Sequence, residues 1–262
     1  MVSPVAHDLA FDHRQIHIGA VPHVASEALA VRVADALRLA PGIQVARIDS
    51  NKWAVSSRGF NNQYANKLLV LMDGRSVYTP SYSGVYWEDQ DTILEDIERI
   101  EVIRGPGATL WGANAVNGVI NIITRHSSKT QGTLYSVAAG DEEDFSHFRS
   151  GFQLGEDVYG RAYVKLVQRD STYAPALDDD AGDDWQALRV GFRVDSDEGA
   201  ASSWTLQGNS YRNDSNQIVK QFWLDPLTSA PPHRASNVEQ SFVTRGYNLL
   251  GRWQYRDDND SI

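Results

Sequence analysis

From Thr133 onward the chain alternates apolar and polar residues at every second position, which restricts this stretch to strands with one oily and one wet face. Across residues 159–169, Tyr159, Arg161, Tyr163, Lys165 and Arg169 share one face, with Val167 as its apolar exception. Ala162, Val164 and Leu166 form the other. Across 185–194, Leu188, Val190, Phe192 and Val194 oppose Arg189, Gly191 and Arg193; across 247–255, Tyr247, Leu249, Trp253 and Tyr255 oppose Asn248, Arg252 and Gln254. A soluble sandwich has the same pattern, so the connections decide. Tight turns at 155–157 and 195–199 alternate with longer polar loops at 171–184 and 213–240, as in a membrane barrel with short turns on one side and long loops on the other. The connection at 140–144 is an exception, short where a long loop is expected. Aromatic residues near the expected strand ends (Tyr159, Trp185, Trp204, Tyr211, Trp253, Tyr255) suit the interfacial girdles of such a barrel.

Composition narrows the classes further. With 34 acidic against 24 basic residues the formal charge is −10, the wrong sign for a nucleic-acid binder, which needs a basic face against phosphate. No run approaches the roughly 18 apolar residues of a membrane-spanning helix. The mean hydropathy of −0.40 rules out a helical membrane protein but leaves a barrel open, because alternating strands average to ordinary values. The absence of cysteine removes disulfides, thiolate metal sites and thiol nucleophiles together. No spacing of acids and histidines suggests a triad or a general acid–base pair, so no enzymatic activity, cofactor or metal site is expected. His7, His13, His17 and His23 crowd the N-terminus without a helical pattern to gather them. Asp178, Asp179, Asp180, Asp183 and Asp184 lack EF-hand spacing and read as a solvated loop.

Before Ser127 the elements are short and mixed. Residues 25–39 carry Leu29, Val33, Ala36 and Leu37 at helical spacing and stop at Pro41-Gly42. Residues 43–45 and 53–55 read as short strands, and 67–72 as a continuous apolar strand ending in the turn Asp73-Gly74. A short acidic-headed helix is expected over 89–97, then strands at 100–103 and 119–124 on either side of a glycine-rich segment. Gly105, Gly107, Gly112 and Gly118 let that segment turn tightly and pack close to its neighbours. No Gly-Lys-Ser/Thr follows, so the glycines do not form a phosphate loop.

The residues 97–124, IERIEVIRGPGATLWGANAVNGVINIIT, resemble the end of the plug domain of TonB-dependent outer-membrane receptors. Three more stretches stand in that family's order. They are Asp35-Ala36-Leu37 with residues 41–45, then Ser57-Arg58-Gly59-Phe60, then residues 69–75 with Gly74. The resemblance implies an α+β plug domain over 25–126, followed over 127–262 by antiparallel transmembrane β-barrel strands, incomplete at six of an expected 22 or so. Residues 1–24 hold neither a clear signal peptide nor a TonB box, and the strand count falls below the roughly eight of known membrane barrels, so the chain is expected to be part of a longer product.

The resemblance also implies a function: a receptor in the Gram-negative outer membrane that binds and imports a scarce ligand, foremost a ferric siderophore or similar metal chelate. Its implied partners are the TonB energy-transducing complex, the small-molecule chelate and outer-membrane lipid. Asn62, Gln63, Tyr64, Tyr82, Tyr86 and Trp87 lie on loops that meet ligand from below in the family, and aromatic faces and hydroxyls suit that contact. Arg58, Arg99 and Arg104 are expected to meet glutamates of the barrel wall, and Gly59, Gly74, Gly105, Gly107, Gly112 and Gly118 to serve the backbone. Two rivals remain: a soluble periplasmic plug-like binding module, and a carbohydrate-active β-enzyme.

Overall fold

The computed structural model describes residues 15–19, 32–106, 111–112, 114–175, 178–196, 201–223 and 234–255. The chain divides into two units, one comprising Met1–Arg47 and Lys52–Arg125, the other Ile48–Asn51 and His126–Ile262.

The first unit contains β1 (Gln15–Gly19), a one-turn helix α1 (Val33–Ala36), β2 (Ile43–Arg47), β3 (Trp53–Ser57), β4 (Leu68–Met72), β5 (Arg75–Ser76), β6 (Ile97–Arg104) and β7 (Gly118–Thr124). Its five-stranded sheet runs β1-β6-β7-β4-β5, and β2 and β3 form a separate antiparallel ladder. Strand β4 reads as an unbroken apolar run because it is interior: it pairs parallel with β7 on one side and antiparallel with β5 on the other. Val70, Ile97, Ile100, Ile120 and Ile122 fill the core beneath α1 residues Val33 and Ala36, each large side chain contributing about 1.5–3 kcal/mol by leaving water. At Asp73-Gly74 both residues take positive φ (50° and 80°), the geometry of a two-residue hairpin with the twist of its strands. The Asp73 carboxylate then accepts hydrogen bonds from the Thr124 amide at 2.8 Å and hydroxyl at 2.9 Å, tying the turn to the end of β7. Gly118 is needed for close approach, since a Cβ there would lie 2.3 Å from the Ile103 carbonyl oxygen.

The second unit is an antiparallel meander of β8 (Gly132–Ala138), β9 (Glu143–Gly155), β10 (Val158–Arg169), β13 (Trp185–Ser196), β14 (Ser202–Trp223) and β15 (Arg234–Tyr255), with β8 and β15 at its edges. The register aligns one row across all six strands, apolar on five of them and interrupted by Ser210 on β14: Tyr135 faces Phe148, Phe148 faces Val164, Val164 faces Val190, Val190 faces Ser210, and Ser210 faces Tyr247. Burial is the reverse of a soluble sheet. Leu166 and Val190 are 49% and 45% exposed, whereas Lys165 and Arg189 are 3% and 6% exposed. Arg149, Arg161, Arg169 and Arg193 are buried with them, while Leu188, Phe192 and Leu206 are exposed. A sheet that turns its apolar side outward is stable where that side meets hydrocarbon, as in an outer-membrane barrel. The six strands match the expected number and form an open sheet among the described residues.

Several expectations need correction. Residues 89–97 do not form a helix: 3-10 turns at Trp87–Asp89 and Leu94–Asp96 flank an extended Ile93, which is fully buried, and β6 starts at Ile97. Residues 213–240 are not one long loop, because β14 and β15 pair along 22 residues each, from Ser202 opposite Tyr255 to Trp223 opposite Arg234. The 171–184 loop contains a small hairpin of β11 (Tyr173–Ala174) and β12 (Asp179–Asp180). Asp183 in that loop is buried rather than solvated: its carboxylate accepts from the Ser50 amide (2.8 Å), the Thr172 amide (2.7 Å) and the Thr172 hydroxyl (2.8 Å). Arg169 donates to the Ser50 carbonyl at 2.8 Å and pairs with Glu143. The helix expected from residue 25 is described only from Val33, and the turn at 195–199 only through Ser196; residues 25–31 and 197–199 lie outside the described residues, as do His7, His13, His23 and most of 1–24.

Candidate functional site

Two loops of the first unit converge at one end of its strands. The 58–67 loop leaves β3 through three consecutive residues with positive φ, Arg58 (65°), Gly59 (92°) and Phe60 (55°). Two of these are not glycine, and such strain collects at functional sites. Asn62 shapes the next turn: its side-chain oxygen accepts from the Tyr64 amide at 2.8 Å and its amide donates to the Phe60 carbonyl at 3.2 Å. Asn117 fastens this loop to β7, donating from its side chain to Ser57 O (3.0 Å) and from its backbone to Lys67 O (2.8 Å). The 77–86 loop closes through the Thr79–Gly84 bridge. Gly84, which sequence reasoning missed, leaves room for the Tyr82 ring: a Cβ there would lie 2.1 Å from that ring, which would have to move.

The loops meet through three aromatic rings. Tyr64 and Tyr82 stand edge to face with centroids 5.1 Å apart, and Tyr82 and Tyr86 likewise at 5.0 Å, an arrangement that satisfies the ring quadrupoles. Tyr64 is 58% exposed and Tyr86 accepts a hydrogen bond from Ser81 at 3.2 Å. The Tyr82 hydroxyl is buried without a hydrogen-bond partner. Burial, reinforced by the nearby Glu88 carboxylate, holds its pKa above the ordinary tyrosine value. Behind them, Tyr78 donates to Leu68 O at 2.8 Å, and burial pushes its pKa up to about 12. Asn62 is exposed and Gln63 half-buried. Trp87 departs from its expected place: it is buried in the hydrophobic core, where it supports the loops and offers no face to a ligand.

The three arginines differ. Arg99 already has partners inside its own unit, Glu101 at 2.8 Å and Glu98 at 3.7 Å. Arg58 is exposed, with its guanidinium 3.7 Å from the point a Cβ on Gly105 would occupy, and the half-buried Arg104 lies over Gly42. Neither guanidinium makes an ion pair or hydrogen bond among the described residues. Gly59, Gly74, Gly105 and Gly112 take positive φ; Gly107 lies outside the described residues. The described residues hold no group of three or more His, Asp or Glu arranged for a metal.

Residues 23–119 match the family model described as TonB-dependent Receptor Plug Domain. Over these residues the chain is similar to the plug domain of TonB-dependent receptors. Among curated proteins it is 36% identical over 118 residues to the vitamin B12 transporter BtuB of Vibrio vulnificus, covering 44% of this chain and 18% of the transporter. It is 36% identical over 151 residues to the iron-regulated outer membrane virulence protein of Vibrio cholerae serotype O1, covering 53% and 22%. The chain thus spans about a fifth of the length of these relatives. Among solved structures, the ferripyoverdine receptor of the Pseudomonas aeruginosa outer membrane matches 94% of this chain with 33% of its own, at a TM-score of 0.65 and 16% identity. The ferric yersiniabactin uptake receptor FyuA of Yersinia pestis matches 93% with 38% of its own, at 0.62 and 18%. At these identities the structural likeness establishes the fold alone, and it extends beyond residues 23–119 into the antiparallel strands of the second unit. The curated relatives are named as transporters and membrane proteins, not enzymes. The outward apolar rows of the second unit disfavour the soluble module.

Proposed function

We propose that the chain is the plug and first wall strands of an outer-membrane receptor that imports a ferric siderophore or similar metal chelate under TonB control. The observation that supports it best is the joining of a plug-family domain to a sheet with its charged face buried and its apolar face exposed. A wide barrel needs such a stopper, because a lumen of about 22 strands leaks without one. In this reading the protein resides in the Gram-negative outer membrane, with lipid against Leu166, Leu188, Val190 and Phe192. Tyr64, Tyr82 and Tyr86, with Asn62 and Gln63, meet the chelate, their ring faces covering its organic shell. Arg58 and Arg104 pair with wall glutamates, contacts that hold while both partners stay desolvated and release when one is pulled away. Arg99, engaged by Glu101, adds to that contact only by exchanging partners. The strained 58–60 turn would transmit movement of the loop to β3.

Uptake of radiolabelled ferric chelates and of labelled cobalamin by iron-starved cells carrying the gene for this chain tests the reading, with TonB-deficient cells as control. Iron accumulation that needs both the gene and TonB is expected, and Tyr82→Ala should reduce it at least about tenfold, the loss of one buried aromatic contact and its neighbours' support. Gene-dependent accumulation of cobalamin with no iron would overturn the chelate assignment; accumulation of neither would overturn the importer reading.

A further inference from the structure

A cleft of about 310 Å³ opens beneath the 58–67 loop, lined by Ser56, Phe60, Tyr64, Asn66, Lys67 and Asn117 among others. It is of a size for a small molecule or one arm of a larger one. Tyr82 and Tyr86 do not line it, so it is separate from most of the aromatic cluster.

Two independent features define its chemistry. Among the described residues Lys67 is the one charged residue of the lining; it is exposed, and its ammonium makes no ion pair or hydrogen bond with any of them. The sequence around it lacks compensating acids: residues 58–67, 77–86 and 104–118 contain Arg58, Lys67 and Arg104 but no Asp or Glu, in a chain of net charge −10. The second feature is Ser56. Its residue is 4% exposed, its hydroxyl is buried without a hydrogen-bond partner, and it lines the same cleft. A buried donor without an acceptor is costly, and a bound oxygen atom removes that cost.

We infer that this cleft is a subsite for the carboxylate, or a comparable oxyanion, of a small molecule. The Lys67 ammonium supplies the countercharge and the Ser56 hydroxyl donates a hydrogen bond. Phe60 and Tyr64 flank the mouth with apolar faces for the carbon skeleton, while the Asn66 amide offers a further donor. Tyr64 and Asn62 also belong to the proposed chelate contact, whereas the carboxylate inference itself rests on Lys67 and Ser56. The carboxylate can belong to a free metabolite or to an arm of a larger ligand.

Calorimetric titration of the full chain in detergent with succinate, and with its uncharged isostere succinamide, tests it, with amide resonances of 56–68 locating the site. Succinate should bind, succinamide about tenfold weaker or less, and Lys67→Met should lose about tenfold in succinate affinity, the worth of one charge-assisted hydrogen bond. Ser56→Ala should weaken succinate while leaving unfolding stability unchanged or raised, since this hydroxyl has no partner to lose. A carboxylate-bearing ferric chelate that competes with succinate identifies the arm as the source; simultaneous binding identifies a free carboxylate. Equal binding of succinate and succinamide, no binding of either to the folded chain, or undiminished binding by Lys67→Met would overturn the assignment. None of these results bears on iron uptake, which is read separately.

Discussion

Glu88 follows the buried Trp87, with its carbonyl accepting a hydrogen bond from Arg32 at 2.9 Å. Arg32 is itself buried over the Trp53 ring at 4.8 Å and beside Asp91 at 3.8 Å. Burial raises the Glu88 pKa to about 7 from 4.5, with Asp89 adding to the rise and Arg32 and Lys52 opposing it. The sign follows from linkage. Between those two values the folded chain keeps this proton and the unfolded chain releases it, so the contribution is complete below pH 4.5 and lost as pH climbs through 7. The loss amounts to about 3 kcal/mol at most. Urea unfolding of the parent and of Glu88→Gln across this window should show the parent losing stability with rising pH relative to the variant; parallel profiles would refute the effect. This residue was not legible in the sequence, where Glu88 stands between a loop ending at Trp87 and a helix expected from Asp89. Trp87 was misplaced for a related reason: the family resemblance set it on a ligand-meeting loop, and only the fold shows its ring buried in the core.

The 170–184 segment gives a second test. Its order depends on Asp183, whose carboxylate gathers the Ser50 amide with the Thr172 amide and hydroxyl. Asp183→Ala removes charge-assisted bonds of about 1.5–3 kcal/mol each, so hydrogen exchange at Ser50 and Thr172 should accelerate about ten- to hundredfold while β10 and β13 keep their protection. Unchanged exchange at both amides would show that the carboxylate does not hold the loop. The contrast between elements explains what could be read beforehand. Strands β4, β7, β10 and β13 were legible because burial on two faces gives a continuous apolar run and burial on one face gives period two. The outer halves of β14 and β15 were not: residues such as Asn213, Asp214, Ser215, Asn216 and Gln217 are held by pairing with the neighbouring strand, which imposes no apolar signature. The 89–97 segment misled because its acids suggest a helix start, whereas Ile93 leaves the helical region to fill the core. The tyrosine loops were legible as candidates, but the edge-to-face stacking, Gly84 and Ser56 depend on contacts made across loops distant in sequence.

Taken whole, the molecule joins two units that bury opposite kinds of surface. The plug hides isoleucine and valine and exposes polar loops; the strands hide arginine and lysine and expose leucine, valine and phenylalanine. In water the second arrangement leaves a broad apolar sheet uncovered, and in hydrocarbon it is the stable choice. The chain has no cysteine, so single cysteines report cleanly. Nitroxides placed at Leu166, Val190 and Leu249, and for comparison at Tyr163, Lys165 and Tyr211, would be measured in lipid bilayers for collision with oxygen, which partitions into hydrocarbon, and with a water-soluble nickel chelate. Oxygen should dominate at the first three positions and not at the second three. Nickel access at Leu166 and Val190, or protection of both from either reagent, would contradict a lipid-facing wall.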